Sequence, residues 1–323
     1  MDRSFDVLLL GAAGSSGHHV ARELANRRLS VLLAGRRLEP LEELARELSA
    51  TDVNTMALDV TDSAAVREAA ARARMVLTTV GPFVRYGETV MDACLDARVN
   101  YVDIANELTA VRQVLARNAE AQARGITAVT GAGFGPGGTE SLVLDLVEKL
   151  GETPDLVRVA TVPANSHVSP GVRDTIAALM PEGATTYVDG ALARAPFGTG
   201  ATVLTFGGAK RTMLPGPAGD LEAARLASGA ANVSAYFVDP SQRVDGDEFS
   251  YAYAEVVLKN ERRAAQARAG DGVKAGAAFA AEVARRILEG AKVGAWTPGR
   301  LFGKDLFRAA TGATVTRLDT EEV

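Results

Sequence analysis

Apolar and polar positions along the first 130 residues alternate between two spacings. Short continuous runs, Val7-Leu8-Leu9-Leu10 and Val31-Leu32-Leu33-Ala34, have the length and β-branched or leucine content of strands buried on both faces. Between them, Val20 and Leu24 recur four residues apart, the spacing of one helix face. The same alternation predicts strands over 55–59, 75–80, 100–104 and 127–130. Helices are predicted over 39–48, 63–72, 87–97 and 108–124. Strands and helices in strict succession imply a doubly wound parallel sheet with helices on both faces.

After about residue 139 the pattern changes. A helix over 140–150 and a strand over 156–162 lead into a polar loop, 163–171, and a helix beginning near Val172. Sheet-like stretches follow at 202–206 and 233–237, and at Phe249, Tyr251 and Tyr253 in alternation with small residues, continuing through Val256 and Leu258. Residues 260–262 can turn that strand into a hairpin, and an amphipathic helix is predicted over 273–289. The fold class expected is therefore α/β: an N-terminal Rossmann domain (1–132), a second α+β domain with a mixed sheet for substrate (133–295), and a tail (296–323) able to pack back on the first domain.

The link between the first strand and the first helix is Gly11-Ala12-Ala13-Gly14-Ser15-Ser16-Gly17. A glycine triplet in this place is a dinucleotide-binding fingerprint in GxxGxxG spacing. Gly11 can take a positive φ to end the strand, Gly14 lets a pyrophosphate approach the backbone, and Gly17 allows close packing of the helix. Free N–H groups of Ala13 to Gly17 and the helix dipole favour anionic phosphate. The second strand closes on Gly35-Arg36-Arg37. An NAD site places a carboxylate there; Arg36 and Arg37 instead suit a 2′-phosphate, so NADP is the expected cofactor. Asp59 and Val60, at the end of the third strand, are candidates for the adenine pocket, with Asp59 equally able to cap the next helix. Val80, Gly81 and Pro82, at the end of the fourth strand, are expected beside the nicotinamide ribose.

Composition narrows the function classes. A net charge of −5 has the wrong sign for a general nucleic-acid binder. The single cysteine, Cys94, excludes an intrachain disulfide and fits a reducing cytoplasm. No apolar stretch reaches the ~18–20 residues of a spanning helix, so no membrane role is expected. The three histidines include the adjacent pair His18-His19, which argues against a histidine metal site.

One further run is specific. Val80-Gly81-Pro82-Phe83-Val84-Arg85-Tyr86-Gly87-Glu88, then Asp92-Ala93-Cys94, Tyr101-Val102-Asp103-Ile104 and Glu107 resemble the saccharopine dehydrogenase-like family. Gly131-Ala132-Gly133-Phe134, Phe206-Gly207, Gly219-Asp220, Asn232-Val233 and Thr297-Pro298 extend the resemblance. It implies an NADP-dependent oxidoreductase of a small metabolite, in a family that includes lysine-pathway reductases and trans-acting enoyl reductases. The chain is shorter than the amino-acid-pathway members, and none of its tyrosines has a lysine four residues on, which argues against short-chain dehydrogenase chemistry.

Reduction of a C=N or activated C=C bond needs a hydride and then a proton. Tyr86, His167 and Asp103 are the candidate catalytic residues, each with an alternative as a structural tyrosine, a surface histidine and a turn cap. Arg85, Arg173 and Arg211 are candidates for a substrate carboxylate. A Rossmann protein that senses NADP(H) without turnover is the alternative reading. A mixed sheet is a common place for dimer contacts, so a homodimer stays open beside the small-molecule substrate as a partner.

Overall fold

The structure is a computed structural model, and it describes residues 3–48, 52–164, 170–239 and 248–318. Its first sheet holds β1 (Phe5–Leu10), β2 (Val31–Gly35), β3 (Val53–Ala57), β4 (Ala73–Thr78), β5 (Asn100–Asp103) and β6 (Thr127–Val129). Helices α1 (Ser15–Asn26), α2 (Leu38–Leu48), α3 (Ser63–Ala70), α4 (Phe83–Ala97), α5 (Leu108–Ala116) and α6 (Asn118–Arg124) connect them. Each strand pair is parallel, for example Val7 beside Val31 and Val7 beside Met75. The apolar runs of β1 and β2 are buried because helices cover both faces of the sheet.

Three elements differ most from the sequence-based expectation. Helix α4 starts at Phe83 rather than residue 87, so the Gly81-Pro82 pair leads straight into a helix, across a cis peptide bond. The segment 108–124 is two helices, divided at Arg117. Helix α7 (Phe134–Leu150) starts six residues earlier than the glycine-rich Gly135-Pro136-Gly137-Gly138 run suggests. Those glycines sit in a helix because neighbours fill the space of their side chains: a Cβ on Gly137 would come 2.2 Å from Phe279, and one on Gly138 2.8 Å from Ala252.

The second sheet is mixed. Its strands are β7 (Leu156–Val162), β8 (Ala184–Val188), β9 (Ala191–Ala195), β10 (Thr202–Phe206), β11 (Ala209–Pro215), β12 (Asn232–Val238), β13 (Ser250–Leu258) and β14 (Glu261–Ala269), with β16 (Thr314–Leu318) at one edge. The main path runs β10-β11-β12-β7-β13-β14-β16, and only β12 and β7 are parallel. Helices α7 and α9 (Gly219–Ser228) pack on one face. On the other, Phe206, Met213, Tyr236 and Tyr253 form a separate apolar layer.

The end of the chain returns to the first sheet. Helix α10 (Gly272–Glu289) lies along α1, and β15 (Gly294–Trp296) pairs in parallel with β6 as a seventh strand. Helix α11 (Pro298–Phe302) then docks on α7: the buried Glu140 carboxylate accepts the hydroxyl of Thr297 and the N–H groups of Gly299, at 2.7 Å, and Arg300, at 3.2 Å. Helix α12 (Leu306–Thr311) places Phe307 against Phe134 and Phe279 before β16 closes the second sheet.

Candidate active site

The crevice lies at the carboxyl ends of β1, β2, β4, β5 and β6, and its first wall is the glycine turn. Gly11 takes φ +80°, and its N–H donates to Ala34 across the sheet at 2.9 Å. A side chain there would clash with Thr79 Oγ1, itself bonded to the carbonyls of Leu10 (3.0 Å) and Gly11 (3.2 Å). Gly14 is the N-cap of α1 with extended backbone and no side chain to bond the free N–H groups. Gly17 is the most constrained of the three, since a Cβ on it would stand 2.0 Å from the Gly11 carbonyl oxygen. Ala13 and Ser15 are exposed and Ser16 is half-buried at this helix N-terminus, where N–H groups and dipole favour an anion.

Arg36 and Arg37 are exposed just past β2. The Arg36 charge also reaches Asp59, whose carboxyl is held below the ordinary aspartate range mainly by the N–H and hydroxyl of Thr61, at 2.9 and 2.8 Å. Asp59 therefore caps its own turn, while Asp62 caps α3 through Ala64 and Ala65. Val60 is buried, and Val80 is half-buried against the same apolar layer.

At the far end of the crevice, Glu107 organises three segments. Its carboxylate is buried and accepts Phe83 N–H at 2.9 Å, Asn106 N–H at 3.1 Å and the Thr175 hydroxyl at 3.3 Å. Burial pushes its pKa up against those hydrogen bonds. Asn106, next to it, receives the N–H of Gly219 on both its carbonyl (3.0 Å) and its Oδ1 (3.1 Å), tying the start of α9 to the end of β5. Asp220 follows, buried, bonded by Thr139 at 2.9 Å and raised by burial to about 6.

The candidate catalytic residues are spread apart. Tyr86 lies half-buried in the first turn of α4, packed on the layer that contains Val80, with the Arg85 guanidinium over its ring. Asp103 is enclosed: Tyr101, Ala105, Thr130 and Gly131 donate to its carboxylate at 2.8–3.0 Å, so it fastens β5 to the turn after β6. His167 lies outside the described residues. Arg85 and Arg173 are exposed, whereas Arg211 is buried in β11. Glu107, Asn106 and Thr175 carry no assigned role in the sequence reading. A carboxylate one residue before the apolar helix Leu108-x-x-Val111 is the signal available for Glu107; nothing local marks its partners.

Among the described residues, no helix is long and apolar enough to cross a membrane, and no three His, Cys, Asp or Glu side chains are grouped to hold a metal ion.

Fold and crevice together define a Rossmann dinucleotide-binding protein with a mixed-sheet second domain. Residues 7–129 match the family model of the saccharopine dehydrogenase NADP binding domain, a likeness that points to NADP as the cofactor of this part of the chain. The fold of almost the whole chain is similar to that of saccharopine dehydrogenase (L-Glu forming) from Saccharomyces cerevisiae. The TM-score is 0.68 over 98% of this chain and 100% of the other, at 13% identity. The trans-acting enoyl reductase of Mycobacterium tuberculosis (strain ATCC 25618 / H37Rv) is 39% identical over 111 residues, 33% of this chain and 27% of that protein. A lipid droplet localized protein of Caenorhabditis elegans is 32% identical over 141 residues, 40% of this chain and 33% of that protein. The similarity thus spans about a quarter to a third of the length of these curated relatives.

Proposed function

We propose that the protein is an NADP-dependent oxidoreductase that reduces an activated C=C or a C=N bond of a small metabolite. The observation that carries this reading is an NADP-binding domain whose β2 is followed by Arg36 and Arg37 rather than by a carboxylate. The relatives named enoyl reductases favour the C=C bond over C=N.

The chain's own groups divide the work. The N-terminus of α1 and the backbone of Gly11, Ala13, Gly14, Ser15, Ser16 and Gly17 hold the pyrophosphate. Arg36 and Arg37 take the 2′-phosphate by forked hydrogen bonds. Asp59 and Val60 border the adenine, and Val80, Gly81 and Pro82 border the nicotinamide ribose. The bound dinucleotide supplies the hydride. Tyr86 and His167 are the candidates for the proton that a C=C reduction requires, and Asp103 positions β5 and the turn after β6 rather than touching substrate.

The test is fluorescence titration with NADPH and NADH, followed by NADPH consumption with short enones, enoyl thioesters and cyclic imines. Tight NADPH binding with turnover of one class sustains the proposal. NADPH binding with no turnover of any class favours a sensor of NADP(H), and no binding at all overturns both.

A further inference from the structure

The second sheet curls until its two ends meet. Its path runs from β10 at one edge to β16 at the other, yet the Gln266 side chain of β14 donates to the Thr205 carbonyl of β10. The Phe206 ring of β10 lies 5.9 Å from that of Tyr251 and 6.1 Å from that of Tyr253, both on β13. The β10–β11 hairpin therefore lies across the face of β13, β14 and β16 instead of continuing the sheet outward. Its turn is built for this approach: Gly207 and Gly208 take φ +56° and +83°, and a Cβ on Gly207 would stand 2.4 Å from the Tyr251 hydroxyl.

The closure is incomplete. A cavity of about 700 Å³ remains, bordered by Thr205 and Lys210 of the hairpin and by Tyr251, Arg268, Thr314 and Thr316 of the opposite face. That volume is in the range of small-molecule sites. Its lining is polar: Val203 and Leu318 are the aliphatic members, and no Asp or Glu is among the described residues that border it. None of the lining residues belongs to the first sheet, the glycine turn, the Glu107 cluster or α8 (Pro170–Leu179), the helix of Thr175.

The two cations decide what fits. Lys210 and Arg268 are exposed, and neither has an ion-pair partner among the described residues. Arg268 is nonetheless held in place, its guanidinium lying over the Phe249 ring at 4.5 Å. Stacking occupies the face of the guanidinium and leaves its N–H edge for a forked contact with phosphate or carboxylate. Two like charges border one cavity that has no carboxylate, on a chain whose net charge is −5. An anion in the cavity offsets their repulsion.

We propose that this cavity is a second ligand site, separate from the crevice, which takes a small metabolite carrying two or more phosphate or carboxylate groups. Lys210 and Arg268 hold the anionic groups, and the hydroxyls of Thr205, Tyr251, Thr314 and Thr316 meet the rest of the ligand.

Isothermal titration with pyrophosphate and with citrate tests the site and separates phosphate from carboxylate. Excess NADPH is present throughout, so that neither probe reports on the glycine turn. At least one probe gives a saturable isotherm that weakens as salt is raised. Arg268→Gln and Lys210→Gln, both at exposed positions, each lower that affinity about tenfold or more. The arginine change is the larger, because it removes a fork rather than a point charge. Arg36→Asp, in the first domain, leaves the probe affinity unchanged. No saturable heat with either probe up to about 10 mM, or Gln variants that bind like wild type, overturns the proposal. Probe binding lost in Arg36→Asp but kept in both Gln variants places the anion in the first domain and overturns it equally.

Discussion

The two sheets solve the same packing problem in opposite ways. In the first, every strand pair is parallel and the strands share one crevice edge, so the loops after β1, β2, β4, β5 and β6 converge there by backbone topology. In the second, mostly antiparallel strands put chain turns at both ends, and the faces differ: α7 and α9 cover one, and an aromatic layer around Phe206 and Tyr253 covers part of the other. The proposed cofactor site therefore falls where backbone topology is repetitive, and the mixed sheet lies beside it.

Four substitutions probe that division, from the largest effect to the smallest. Gly17→Ala forces a Cβ to within 2.0 Å of a backbone carbonyl in the phosphate turn. NADPH affinity should fall by about a hundredfold or more, with the mixed sheet intact by circular dichroism, because backbone cannot yield as a flexible side chain can. On the proposed 2′-phosphate site, Arg36→Asp removes a charged, forked contact worth about 1.5–3 kcal/mol, so NADPH should weaken by about 10- to 150-fold while NADH changes little. Equal loss for both cofactors in paired titrations would remove Arg36 from the 2′-phosphate site.

The third sharpens the comparison through pH. Burial raises Glu140 to about 7, although Thr297, Gly299 and Arg300 all donate to it. A carboxyl whose folded pKa lies above its unfolded value near 4.5 binds protons better in the folded state. Its contribution is complete below about pH 4.5 and is lost as pH rises through about 7. Urea unfolding of the wild type should therefore show stability declining across that window. Glu140→Gln should flatten this slope and cost about 1–3 kcal/mol at low pH, since an amide cannot accept every bond the carboxyl does. The smallest effect is expected at Gly207, where φ is +56° and the Tyr251 hydroxyl fills the side-chain space. Gly207→Ala should cost about 1–2 kcal/mol of stability and leave NADPH affinity unchanged, confining the damage to the second sheet.

The amino-terminal half was legible because its information is local. Apolar runs of four residues, a glycine triplet and two arginines each announce themselves within a short window. The hairpin of β8 and β9, absent from the sequence-based expectation, carries a local signal of the same kind: Asp189 and Gly190 both take positive φ at its turn, as an Asp-Gly pair between alternating residues prefers. Strand β14 is different. Its Ala264-Ala265-Gln266-Ala267-Arg268-Ala269 has helical propensity, and only pairing with β13 and β16 makes it a strand. The Glu107 cluster was invisible for the same reason, since Phe83, Thr175 and Gly219 meet it across 24, 68 and more than a hundred residues.

The return of β15 to the first sheet has a consequence for how the molecule is made. Six strands of the cofactor sheet leave the ribosome early, but the strand that completes it follows the whole second sheet. At ordinary elongation rates that interval is roughly ten to thirty seconds. During it, the outer edge of β6 presents unpaired N–H and C=O groups, an open template for another chain. Synthesis order thus gives the nascent chain a sticky border that the finished molecule has sealed with its own late strand.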